Sequence, residues 1–275
     1  MSSATRRSLL KIASLSAAAL AGAGNFLHAD QVVGQAQPVT SGPEKQTPAN
    51  VMSIAAAPGD TFFVMGSPVA MAVETGGKGS LLSLTLGERG SPTIAPAQYG
   101  AMQQKSAQGA AALMGAQALF LSYRDGEVPV NDEIKFAVCD LIREYKPQIV
   151  VTHWKGSWHK DHQACYEIVQ DAIFYAGLPG IVRERPAHDV RTLYFADNWE
   201  DAAGFVADTY LEITPVYDRW MKACSLFPMW RGETGFRYND YYASRAAACG
   251  CLSQCSKAVC FMSPADERVR DLRRV

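Results

Sequence analysis

Short apolar runs alternate along this chain with longer stretches in which apolar residues return every three or four positions. The runs 51–57, 81–86, 118–121 and 148–152 read as strands, with further candidates at 192–195 and 210–213. Between them, 61–75, 97–114, a segment ending at Tyr145 and 161–174 read as helices. The third of these has Ile134, Val138, Leu141 and Ile142 on one face, Asn131 placed to cap its start and Pro147 to stop its continuation. Pro215 suits the first turn of a helix reaching about 227, and the stretch 239–260 is expected to be helical in part. Strand and helix alternating with few long gaps predicts an α/β protein. Its sheet is expected to be Rossmann-like and mostly parallel, with helices on both faces. No internal repeat is present, and 51–262 reads as one domain followed by a polar tail, 263–275.

The chain has 275 residues, 48% hydrophobic and 19% charged, which is enough for one sizeable core. Residues 1–29 stand apart. Arg6-Arg7 is followed by Leu9-Leu10-Lys11, an Ala-rich apolar stretch and a cleavage site after Ala29, the pattern of a twin-arginine export signal. The alternative is a membrane anchor, for which the apolar run is short. Export to the periplasm or beyond is therefore expected, with no integral membrane span in the mature chain. Residues 30–50, rich in Gln, Pro, Ser and Gly, read as a flexible leader. Removing Arg6, Arg7 and Lys11 from the 26 Lys+Arg leaves 23 against 27 Asp+Glu, a net charge near −4. With no basic stripe, nucleic acid is not an expected partner.

Parallel topology puts the carboxyl ends of the first and fourth strands on one edge of the sheet, where ligands collect in α/β folds. Asp60 follows the first, and His159, Asp161 and His162 follow the fourth, so the four are expected to share a cleft. The alternative has Asp161 capping its helix and the histidines satisfied locally. Trp154 and Trp158 flank Gly156 at that edge, placed either to stack on a sugar face or to pack under the loop. Arg231 is a candidate contact for an anionic group, or else a solvated side chain. Of the seven cysteines, Cys249, Cys251, Cys255 and Cys260 crowd the tail in a spacing that matches no common zinc or iron–sulfur site. On a helix, Cys251 and Cys255 share a face with Leu252, which favours buried thiols over a metal site.

The two junctions resemble the PIG-L/LmbE family of zinc-dependent N-deacetylases, which act mostly on N-acetylglucosamine-containing substrates. The family's His-x-Asp-His is present as His159-Lys160-Asp161-His162, and its Ala-His-Pro-Asp-Asp-Glu aligns with Ala56-Ala57-Pro58-Gly59-Asp60-Thr61. Further echoes are Ser83-Leu84-Thr85-Leu86-Gly87-Glu88-Arg89-Gly90, Leu113-Met114-Gly115, Asp125-Gly126 and Leu211-Glu212-Ile213-Thr214-Pro215-Val216. The resemblance implies an LmbE-like fold, Asp60 and His162 as metal ligands, and His159 with Asp161 in catalysis. It also implies losses: Ala57 stands at the third ligand position and Gly59 at that of the general base, and the glutamate expected around 103–108 is absent. Two ligands hold zinc weakly, and a glycine accepts no proton. The leading expectation is therefore an exported deacetylase-fold protein with an impaired zinc site, retaining affinity for an N-acetylated sugar or glycoconjugate. The alternative is an active metal-dependent N-deacetylase whose site is remodelled, with His153 or His159 completing the ligand set.

Overall fold

The computed structural model describes residues 48–264. The expected export signal, the leader up to residue 47 and the tail beyond residue 264 lie outside the described residues. Seven strands form one sheet in the order β3-β2-β1-β4-β5-β7-β6. The strands are β1 Val51–Ala55, β2 Gly79–Thr85, β3 Gln117–Tyr123, β4 Ile149–Thr152, β5 Thr192–Ala196, β6 Thr209–Glu212 and β7 Ala258–Met262. The first five pair in parallel, and β7 runs antiparallel between β5 and β6. Strand order reverses between β1 and β4, which pair from Val51↔Ile149 onward. A crevice opens at such a reversal because the connections on either side leave in opposite directions.

Every residue of β1 and β2 is buried, as expected of central strands covered on both faces. Alternation then splits the core. Val51 and Ala55 join Phe62, Phe63, Val69, Met114, Trp220 and Phe227 on one face, under α1 Gly66–Glu74, α2 Pro96–Met114, α5 Tyr217–Cys224 and α6 Tyr238–Ser253. Met52 and Ile54 join Ile134, Val138, Ile142, Ile168 and Val169 on the other, under α3 Asp132–Tyr145 and α4 Lys160–Gly177.

The two helices of that second face are locked by one buried charge. The Arg143 guanidinium on α3, 1% exposed, donates to the carbonyls of Tyr175, Ala176, Leu178, Ile181 and Arg185 at 2.8–3.2 Å. A cation there satisfies orphan carbonyls at the end of α4 and complements the helix dipole. Asn131 caps α3 as expected, its side-chain oxygen accepting from Ile134 N–H at 3.2 Å.

The chain departs from expectation at its end. The stretch 239–260 holds a strand, β7, as well as a helix. Gln254 takes a left-handed conformation (φ 59°) that closes α6 at Ser253. Cys255 therefore lies beyond the helix, Cys251 and Leu252 are exposed, and the shared helical face does not form. Cys249, Cys260 and Ala258 pack together instead.

Candidate metal centre

Three loops leave the neighbouring carboxyl ends of β1, β4 and β5 and meet. From β1, Pro58 and Gly59 lead to Asp60, the first residue of a single π-helical turn, Asp60–Val64. Such turns recur at functional sites because the wider coil re-aims one side chain. Thr61 holds the turn by donating to Ala57 O at 2.8 Å. From β4 come His153 and, after a tight loop, His162 in the first turn of α4. Gly156 lets that loop lie against the third: its carbonyl accepts from Ala203 N–H at 3.0 Å, and a Cβ on it would sit 1.8 Å from Ala203 O. The third loop, after β5, carries Asn198, Glu200 and Asp201 on one turn of 3-10 helix.

Asp201 organises the centre. Fully buried, it takes His153 Nδ1 on one carboxylate oxygen and His162 Nδ1 on the other, both at 2.8 Å. The rings stack 3.9 Å apart with an interplanar angle of 21°. With both Nδ1–H groups committed to the carboxylate, the neutral form of each ring carries its lone pair on Nε2. The Nε2 atoms turn towards Asp60, whose Oδ2 lies 3.4 Å from His162 Nε2 and 4.0 Å from His153 Nε2. Asn198 Nδ2 donates to the other Asp60 oxygen at 3.2 Å. His153 Nε2 also accepts Ala56 N–H at 3.2 Å, so an ion would compete with the backbone for that lone pair.

Asp60, His153 and His162 thus present three donor atoms within 4.8 Å of one another. Ligand distances of ~2.0–2.2 Å in a tetrahedron place donors roughly 3.3–3.6 Å apart. Two of the separations here are 3.4 and 4.0 Å, close to that size. Two imidazoles and a carboxylate, oriented from behind by a second carboxylate, fit a divalent ion of the zinc type with a position left open. The ligand missing at Ala57 therefore has a counterpart on the next strand, and His153 is the one of the two considered histidines that joins the group.

Electrostatics follow the same arrangement. Burial pushes the Asp60 carboxyl up, but the charge and hydrogen bond of His162 and the charge of His153 outweigh it and hold it below the ordinary range. Asp201 behaves likewise: burial opposes ionisation, and contacts with His153 and His162 hold it well below a usual carboxylate. Burial works against the His162 cation, yet Asp60 and Asp201 raise it well above an ordinary histidine. Glu200 is pushed up to about 7 by burial and by the Asp60 charge. His159 is lowered by burial and by His162.

The other expected site residues separate. His159 lines the cleft, its ring 4.5 Å from that of His162, and its Nδ1 accepts Asp161 N–H at 3.2 Å as the cap of α4. Asp161 is not a cleft residue. It is fully buried and accepts Gly126 N–H at 2.5 Å and Val128 N–H at 3.2 Å, pinning the loop after β3 to α4. Trp154 is structural, its Nε1 donating to Ala203 O and its ring packed on Tyr166 and Phe195. Trp158 is 67% exposed, its ring 6.1 Å from that of Trp199, which stacks on Phe236. Arg231 is exposed and pairs with Glu233, while Met229 of the same turn enters the cleft. Asn198, Glu200 and Asp201 escaped the sequence reading, although an acid-rich run directly after a strand was the available signal.

The cleft holds about 130 Å³ and is lined by Ala57, Gly59, Asp60, His159, His162 and Glu200. Aromatic and polar walls come from Phe63, Tyr99, Gln103, Tyr238 and Tyr242. A Cβ on Gly59 would touch Met229 Cε and Sδ at 3.4 Å, so a thioether occupies the space beside the expected base position.

Fold and site together define a mostly parallel α/β protein in which Asp60, His153 and His162, a group that could hold a metal ion, gather at the topological switch point. Residues 52–173 match the PIG-L family, described as GlcNAc-PI de-N-acetylase. Among solved structures the chain is similar to a conserved protein of Thermus thermophilus (21% identity, TM-score 0.70, covering 82% of this chain and 99% of that one). It is also similar to the 4-carboxy-2-hydroxymuconate hydratase of Pseudomonas putida (19%, TM-score 0.72, 82% and 99%). A third is the N,N'-diacetylchitobiose deacetylase of Pyrococcus horikoshii (16%, TM-score 0.67, 84% and 91%). At such identities the likeness speaks for the fold, which carries more than one chemistry.

Proposed function

We propose that the protein is a metal-dependent amide hydrolase of the N-deacetylase type, with Asp60, His153 and His162 as its ligands and an N-acetylated sugar or glycoconjugate as its substrate. The observation carrying this reading is the Asp201 clamp, which spends both Nδ1 atoms and leaves both Nε2 atoms facing one carboxylate. A bound divalent ion supplies Lewis acidity, polarising an acyl oxygen and acidifying water. The protein's own contribution is orientation and proton handling. His159 accepts a backbone N–H at Nδ1 and so carries its proton on Nε2, suited to donate to a developing oxyanion. Trp158 and Trp199 supply ring faces for a sugar at the rim, the family's named substrate class giving the reason to look there. Gln103 Oε1 and the Tyr99 hydroxyl, buried on the same wall without a hydrogen-bond partner among the described residues, suit a polar ligand.

Protein purified without chelator and loaded with zinc tests this reading. About one ion per chain, lost in His153→Ala, together with acetate release from N,N'-diacetylchitobiose, is the expected result. A folded protein that takes up no ion and releases no acetate refutes it. Ala57, Gly59 and the intruding Met229 favour a second reading, a sugar-binding protein without hydrolysis, which predicts glycan binding with acetate release at background. We also propose export by the twin-arginine route, on Arg6-Arg7 and the apolar stretch behind them.

A further inference from the structure

We infer that Glu200 is the proton acceptor for the attacking water, filling the role that Gly59 cannot. This deepens the hydrolase reading and rests on it. Hydrolysis at this site needs a carboxylate beside the open face of the ligand set, and three line the cleft: Asp60, Asp125 and Glu200. Asp60 would be engaged as a ligand of the ion. Asp125 receives Arg89 N–H at 3.1 Å and belongs to the loop after β3. Glu200 reaches the proposed ligands directly, with Oε2 3.5 Å from His162 Nε2, the nitrogen that would face the ion.

Its backbone is fixed at both ends while its carboxylate is not. Glu200 N–H donates to Asn198 Oδ1 at 3.1 Å and Glu200 O accepts Trp158 N–H at 3.3 Å. Among the described residues no hydrogen bond holds the side-chain oxygens, which are 15% exposed. Consecutive residues of one tight turn divide the work: Asp201 meets the Nδ1 side of the two imidazoles, and Glu200 meets the Nε2 side of His162. In the reaction the water oxygen bonds to the acyl carbon while one water proton passes to Glu200. The carbon–nitrogen bond then breaks as the nitrogen takes that proton, giving acetic acid and an amine, between which the acid proton then passes to leave acetate and the ammonium.

The test uses the zinc-loaded full chain and 4-nitrophenyl acetate, an activated acyl probe that needs no sugar recognition. Glu200→Gln is expected to keep the ion in stoichiometric amount and lose about 10²–10⁴-fold in hydrolysis. Glu200→Ala is expected to lose as much and to regain activity in added formate, a small carboxylate that fits the space left behind. Loss of the ion in Glu200→Gln makes Glu200 a ligand and overturns the inference. So do an unchanged rate, a failure of formate to rescue, or a wild-type rate no higher than that of ion-free protein. Refutation of the hydrolase reading looks different, since there the wild type takes up no ion. Glu200-dependent hydrolysis of the ester without acetate release from any N-acetylated sugar overturns only the substrate class.

Discussion

A single carboxylate decides whether two imidazoles can act together. Asp201 fixes the tautomer and orientation of His153 and His162 at once, and Asp201→Asn leaves one acceptor oxygen for two Nδ1–H donors, so one of the two constraints is lost. Outer-shell changes of this kind weaken metal binding about 10–100-fold, which competition against a chelator will measure. The same residues set a pH dependence. His162 is raised above its unfolded value, so its contribution to stability is complete below about 6.5 and is lost as pH rises through its folded value. Glu200, raised to about 7, acts in the same sense, because folding favours its protonated form and that preference is lost between roughly 4.5 and 7. Asp60 and Asp201 are depressed and act oppositely, contributing stability above the unfolded carboxylate range and losing it in acid. On the proposed reading, metal binding would displace the His162 proton. The rise in melting temperature on adding zinc is therefore expected to be larger at pH 8.5 than at pH 6, measured by scanning calorimetry with and without the ion.

The elements that present these side chains are held from some distance. His162 sits at the start of α4, and the end of that helix together with the loop that follows it is gripped by Arg143 of α3 through five backbone carbonyls. Arg143→Met keeps much of the volume and strands those carbonyls in the core. A loss of about 3 kcal/mol in urea unfolding is expected, with one zinc ion per chain still bound by the folded fraction. Helix and strand positions were largely legible because period and caps agree locally, as in α3 with Asn131 at its head. What local signals missed was β7. Val259, Cys260 and Phe261 become a strand only by pairing with β5 and β6, partners 46 to 67 residues away in sequence. Asp161 shows the same limit, since the backbone donors that claim it belong to another loop.

At the scale of the whole molecule, the crevice was legible and its chemistry only in part. Parallel topology sufficed to bring Asp60 and His162 together. The contribution of β5 depended on its lying beside β4, which a strand list does not state. The twin-arginine segment belongs to this scale too: Arg6→Lys with Arg7→Lys is expected to retain the full-length precursor inside the cell, detected by fractionation and immunoblotting. The ligand set has a wider consequence. His153 stands one strand over from Ala57 yet points at the same carboxylate, because β1 and β4 are hydrogen-bonded neighbours whose ends open onto one point. An ion registers the direction from which a lone pair arrives, not the segment that delivers it. A search keyed to consecutive letters would score this protein as vacant, whereas one keyed to positions in space finds three donors still gathered around a common centre.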